Sequence, residues 1–166
     1  MATKENLAEA FAGESQANRR YLAFAKKAQA DGFPQVARLF RAAAEAETVH
    51  AHAHLAALGG VKRTAENLDA AVAGEGYEFQ TMYPKFLAQA QAENNDQATT
   101  TFQNALAVER IHHALYTEAL NQVRQGKDLP PSPIFVCGVC GNTVLGEPPE
   151  VCPICGATRR HFMEVR

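Results

Sequence analysis

A chain of 166 residues has room for one domain of ordinary size and a small second one. Its net charge of −2, spread without blocks of like charge, gives no electrostatic footprint for nucleic acid or an anionic membrane. No apolar run reaches membrane-spanning length, and "MATKENLAEAF" lacks a signal-peptide core, so the expectation is a cytoplasmic protein. Composition also splits the chain. Residues 1–125 are rich in Ala, Glu, Gln and Leu, whereas every proline except Pro34 and Pro84, and all four cysteines, follow residue 126. The expected organisation is a helical domain over 1–125, a linker over 126–133 and a cysteine-bearing domain over 134–166.

Four segments carry apolar residues at helical spacing. The first follows the candidate cap Thr3, carries Leu7, Phe11, Leu22 and Phe24, and stops at "DGF". Pro34 suits the first turn of a second, which carries Val36, Leu39, Phe40, Val49 and Leu55 and ends at "LGG". A third runs from about Asn67 through Leu68, Val72, Tyr77, Phe86 and Leu87 to "ENN". Pro84 falls inside it and frees the carbonyl of Gln80, so a kink is expected there. The fourth runs from about Asp96 through Phe102, Leu106, Val108, Ile111, Leu115 and Leu120 to "RQG". Tight first and third connections make antiparallel neighbours, and the longer middle one, near 59–66, serves as a crossover. The expected fold is an all-α four-helix bundle.

The chain also repeats itself. A shift of 62 positions lays Tyr21 on Tyr83, Phe24 on Phe86, Phe40 on Phe102, Glu47 on Glu109 and His50 on His112. The repeating unit is a helical hairpin. Its polar signature is Glu-x-x-His, "ETVH" at 47–50 and "ERIH" at 109–112. Positions i and i+3 of a helix project together, so a carboxylate and an imidazole can grip one ion. Apolar neighbours Val49, Val108 and Ile111 place this face inward, where carboxylates need partners or metal. A ferritin-like di-iron site requires two such motifs and a glutamate from each remaining helix. The first helix offers Glu14; the third offers Glu75, with Glu78 to spare. Two glycines, Gly74 and Gly76, flank Glu75 and weaken the helix there, and the expectation is that they leave room for ligands and substrate. His52, His54 and His113 match no ligand position.

In the last segment, "CGVC" at 137–140 and "CPIC" at 152–155 form a tetrahedral metal signature. Disulfides are the poorer reading, because a cytoplasmic protein keeps such thiols reduced. Gly141 and Gly156, each following the second cysteine of a pair, permit the tight turns that bring backbone amides to sulfur. Spacing alone leaves a zinc ribbon and an iron site both open.

"AGESQANRRY", "GEGYEFQTMYP", the two Glu-x-x-His helices and the four-cysteine tail, in this order, resemble rubrerythrin over essentially the whole chain. The resemblance implies a ferritin-like di-iron bundle followed by a small metal-bound β/loop domain of rubredoxin-like type. It implies iron ligation by Glu14, Glu47, His50, Glu75, Glu78, Glu109 and His112 in the bundle. Cys137, Cys140, Cys152 and Cys155 would hold a further iron in the tail, with zinc as the possible substitute. Glu47 and Glu109 would bridge the irons; Glu14, Glu75 and His112 would be terminal; Glu78 and His50 would exchange as one iron changes oxidation state. Charge explains such an exchange: four carboxylates balance two ferrous ions, and the harder ferric pair favours a fifth. The alternative for Glu78 is a solvated helix residue. Tyr21 and Tyr83, related by the repeat, are candidate hydrogen-bond donors to ligating carboxylates, or else core tyrosines.

The implied activity is that of a non-haem di-iron peroxidase converting hydrogen peroxide to water in oxidative-stress defence. Electrons would reach the tail from a separate NAD(P)H-dependent donor, a rubredoxin or flavoprotein reductase, since the sequence contains no glycine-rich nucleotide fingerprint. From His112 to Gln125 the helix leads about 20 Å away from the site, and the linker spans at most about 25–30 Å. The tail can therefore fold back or reach a neighbour, and the resemblance implies a head-to-tail homodimer. The rival readings are a ferroxidase or iron-handling protein and, from another class, a zinc-ribbon interaction module on a metal-free bundle.

Overall fold

The computed structural model describes residues 2–166, and the chain divides into two compact units, one ending at Lys62 and the other spanning Arg63–Arg166. The first is a hairpin of α1 (Ala2–Ala30) and α2 (Pro34–Ala57). Thr3 lies within α1 and does not cap it. At the end of α1 the Phe33 N–H donates to Ala28 O at 2.9 Å and the Gly32 N–H to Gln29 O at 3.2 Å. This is a Schellman closure, and Gly32 supplies its left-handed residue with φ +83°. Pro34 then opens α2, where its missing N–H costs nothing.

The seam of this hairpin is alanine. Ala37, Ala44 and Ala51, seven apart on α2, are almost wholly buried, as are Ala17, Ala25 and Ala28 on α1. Small side chains let the two backbones approach, and the buried Asn18 uses that closeness. Its Nδ2 donates to Ala44 O at 2.6 Å and to Thr48 Oγ1 at 2.8 Å, while Arg19 Nε donates to its Oδ1. The larger apolar residues expected in the core stand outside this seam: Leu39 is 69 % and Val49 62 % exposed, and Phe24 and Val36 are also exposed. The inward face inferred from Val49 is therefore corrected, because alanine has taken the packing positions.

The second unit begins with α3 (Thr64–Tyr77), a turn upstream of the expected start. A π-helical turn over Glu78–Met82 follows, then α4 (Tyr83–Ala92) and α5 (Asp96–Arg124). The kink expected from Pro84 appears instead as this widened turn. The Tyr83 N–H donates to Glu78 O, five residues back, so the ladder is re-spaced before the proline that opens α4. Asn94, with φ 53°, closes the helix where Gly32 closes its counterpart, and Asn95 Oδ1 caps α5 by accepting from the Ala98 N–H at 3.0 Å. Arg124 donates to Asp69 at 2.7 Å, tying the end of α5 to α3.

The repeat inferred from the sequence is present in side-chain packing. Tyr21, Phe24 and Phe40 form a triad with ring centroids 5.6–6.3 Å apart, and Tyr83, Phe86 and Phe102 form its copy at 5.7–6.4 Å. Four helical rods in two hairpins are thus the ferritin-like helical class, and a small strand-bearing domain follows. Its strands β1 (Ile134–Cys137), β2 (Thr143–Leu145) and β3 (Phe162–Val165) make an antiparallel sheet in the order β2-β1-β3. Cys137, Cys152 and Phe162 are its buried centre. Among the described residues no helix is long and apolar enough to cross a membrane.

Candidate metal centres

In the first unit, Glu14 from α1 and Glu47 and His50 from α2 bring ligand atoms within 4.8 Å of one another. The i, i+3 spacing works as expected: His50 Nδ1 lies 2.9 Å from Glu47 Oε2. In the second unit, Glu75 from α3 joins Glu109 and His112 from α5 in an equivalent group, with His112 Nδ1 2.7 Å from Glu109 Oε2. All six residues were singled out in the sequence.

Glu78 stands beside the second group without joining it. Burial raises its carboxyl above the usual value, the charge of Glu109 adds to this, and His112 opposes it. Glu75 is pushed up to about 7 by burial, by its hydrogen bond with Glu109, and by the charges of Glu109 and Glu78. Tyr83 is raised by burial and then by Glu78, Glu109 and Glu75, which puts it in the field of the cluster. Three carboxylates crowded at one spot repel unless a cation or proton joins them, so the donor set fits divalent iron. The carboxylates are half-buried rather than deeply buried.

The glycines resolve differently from expectation. A Cβ on Gly76 would come within 3.3 Å of His113 Cδ2, whereas one on Gly74 would meet nothing within 4 Å. Gly76 therefore makes room for His113, whose ring meets Phe79 edge-on at 5.2 Å. Neither His52, His54 nor His113 belongs to a ligand group among the described residues.

In the tail, the four cysteine sulfurs lie within 4.8 Å of one another. Cys137 and Cys155 Sγ are 3.8 Å apart, and Cys140 and Cys152 Sγ 3.6 Å. Disulfides are excluded at these separations. A metal–sulfur bond of about 2.3 Å in tetrahedral geometry places the sulfurs about 3.8 Å apart, so the cage fits a tetrathiolate metal. Each cysteine pair is a tight knuckle closed by glycine: the Gly141 N–H donates to Cys137 O and the Gly156 N–H to Cys152 O, both with positive φ. Burial works against ionising Cys152, yet the backbone N–H groups of Cys155 and Ile154, together with hydrogen bonds from the Cys140 and Cys155 thiols, outweigh it and bring the thiol down to about 7. Burial raises Cys140 and Cys155 above the usual thiol value. The buried Asn142 ties the knuckles together: its carbonyl accepts from the Cys137 N–H and its Nδ2 reaches Cys152 Sγ at 3.7 Å.

The tail touches the second carboxylate group directly. Thr143 Oγ1, on β2, lies 2.9 Å from His112 Nε2. The tail packs on α5 of its own unit, the fold-back that its linker allows. A cleft of about 340 Å³ beside this contact is lined by Leu68, Leu115, Ile134 and Leu145. Sequence reasoning missed Thr143, Asn142 and Asn18. A polar residue beside a cysteine knuckle was the available signal for Asn142, and nothing marked the other two.

Paired carboxylate–imidazole groups on ferritin-like hairpins, with a tetrathiolate knuckle, define a non-haem iron protein with a rubredoxin-like appendage. Comparison with known proteins makes this specific. The rubrerythrin family model matches residues 5–120, and that of the rubrerythrin rubredoxin-like domain matches 135–163. Rubrerythrin-2 of Clostridium acetobutylicum is 34 % identical, the alignment covering 96 % of this chain and 95 % of that protein. Nigerythrin of Nitratidesulfovibrio vulgaris is 37 % identical over 93 % of this chain and 82 % of its own length. A solved structure of mixed-valence nigerythrin aligns with 35 % identity and a TM-score of 0.56 over 98 % of this chain and 86 % of that one. The chain belongs to the rubrerythrin family. Its cofactors are the family's di-iron centre and the iron of the rubredoxin-like domain, and the family makes it an oxidoreductase.

Proposed function

We propose that this protein is a peroxidase that reduces hydrogen peroxide to water in defence against oxidative stress. The observation that carries the reading is the pair of repeat-related groups, Glu14–Glu47–His50 and Glu75–Glu109–His112. Four carboxylates and two neutral imidazoles balance two ferrous ions, and Glu78 remains as the extra carboxylate that a ferric pair would favour. The ligands proposed are these six residues and Glu78: Glu47 and Glu109 would be the carboxylates shared between the irons, and Glu78 would be the alternative ligand to His50. Bound iron supplies the two electrons that, with two protons, turn one peroxide into two waters. The chain's own residues supply charge balance and orientation, and Tyr83 is the proposed hydrogen-bond donor to the carboxylates, with Tyr21 its repeat counterpart.

The tail, with Cys137, Cys140, Cys152 and Cys155 as ligands, is the proposed entry for electrons from a rubredoxin or flavoprotein reductase that draws on NAD(P)H. Its contact with His112 supports that role. The domain division proposed is 1–125, 126–133 and 134–166. Homodimerisation is the proposed assembly, supported by exposed apolar residues on both hairpins, Leu39 and Val49 on one and Tyr77 and Phe86 on the other.

Anaerobically reduced protein mixed with peroxide or with dioxygen tests the activity. Oxidation at least tenfold faster by peroxide supports the peroxidase. Faster oxidation by dioxygen, with ferric product released, would make it a ferroxidase.

A further inference from the structure

His112 and its repeat counterpart His50 have the same partner on Nδ1 but different surroundings. His50 has a side chain 55 % exposed, whereas His112 is 26 % exposed and its Nε2 is held at 2.9 Å by Thr143 Oγ1. Thr143 belongs to the cysteine-bearing tail, immediately after the knuckle that contains Cys140.

The direction of this hydrogen bond follows from the hydroxyl's single proton. Thr143 Oγ1 lies 3.2 Å from Gly141 O, and a carbonyl oxygen only accepts, so the hydroxyl proton goes there. Toward His112 the hydroxyl oxygen is then the acceptor, and Nε2 carries the N–H. In a neutral imidazole this leaves Nδ1 without a proton 2.7 Å from Glu109 Oε2; two such lone pairs repel unless a cation lies between them, so this tautomer belongs to the metal-bound site. Nδ1 is the ring nitrogen that faces Glu109 within the Glu75–Glu109–His112 group.

We propose that Thr143 is a positioning residue for His112, holding its ring in the Nε2–H tautomer so that Nδ1 faces the metal position. The proposal rests on the reading of His112 as an iron ligand. It makes the tail more than an electron carrier: its fold sets the geometry of one half of the carboxylate site. It also gives the two histidines different tasks. His112 is the fixed ligand, and His50, which Thr143 does not hold, is the one able to move.

Thr143→Val keeps the shape and β-propensity of the side chain and removes the acceptor; Thr143→Ser keeps the acceptor. Two readouts separate positioning from a merely structural effect. In protein loaded with zinc as a diamagnetic stand-in, 1H–15N correlation spectra report the His112 Nε2–H: a hydrogen-bonded, slowly exchanging proton in the parent and Thr143→Ser, a rapidly exchanging one in Thr143→Val. Anaerobic ferrous titration should show affinity of the carboxylate site falling about 10–100-fold in Thr143→Val and recovering in Thr143→Ser. The thiolate–iron absorption should be the same in all three, showing that the tail is folded. Unchanged Nε2–H exchange and affinity in Thr143→Val, with parent binding intact, would overturn this inference alone. If the parent takes up only thiolate-bound metal, the ligand reading of His112 fails and takes the proposal with it.

Discussion

The two hairpins are copies at the level of pattern and differ at the level of chemistry. Both have an aromatic triad, a left-handed closing residue and a Glu-x-x-His pair less than 3 Å apart. Only the second has a π-helical turn, a fifth carboxylate, a glutamate pushed up to about 7 and a tail domain against its histidine. The scaffold repeats, and the irregular parts stand in one copy. A π-turn re-aims side chains without unravelling the helix, so the irregularity lies where Glu78 has to be placed.

The largest break in this comparison should come from the tail. Cys152→Ser removes a buried ligand from the tail's core, and we expect all thiolate-bound iron and its visible absorption to vanish. The helical circular dichroism should persist, and His112 should then lose its hold from Thr143. Next come the paired substitutions Glu47→Ala and Glu109→Ala. Each should abolish most carboxylate-bound iron, measured by metal analysis. Only Glu109→Ala should also return Glu75 toward the ordinary carboxyl range, read by carboxyl 13C NMR in metal-free protein.

A pH experiment sharpens the same asymmetry. Glu75 binds its proton more tightly folded than unfolded, so its contribution to stability is full below about pH 4.5. It is lost as pH rises through about 7. The denaturation midpoint of metal-free protein should fall across that window, and Glu75→Gln should flatten the fall. The smallest effects belong to the glycines. Gly74→Ala meets nothing and should stabilise by about 1 kcal/mol. Gly76→Ala must displace His113 and should gain less or lose, both read as thermal midpoints.

Much of this was legible because periodicity and ligand chemistry act locally. Glu47 with His50, Glu109 with His112, and the two cysteine pairs are set by helix geometry and knuckle spacing, which sequence states directly. The failures lie where packing and contacts beyond local spacing decide. Hydrophobicity placed Val49 inside, but helices that pack through alanine leave larger side chains at the margin. Pro84 announced an irregularity, yet only the hydrogen-bond ladder decides between kink and π-turn. Thr143 was invisible because its partner lies 31 positions away and across a domain boundary, where no repeat or spacing rule reaches.

The proposed chemistry requires iron in both kinds of centre. Metal analysis of protein purified without oxygen, with a visible spectrum, tests this directly. The prediction is about three irons per chain, two for the carboxylate–histidine groups and one for the thiolates, with thiolate-to-iron absorption. One zinc per chain, no iron and a featureless visible spectrum would contradict it.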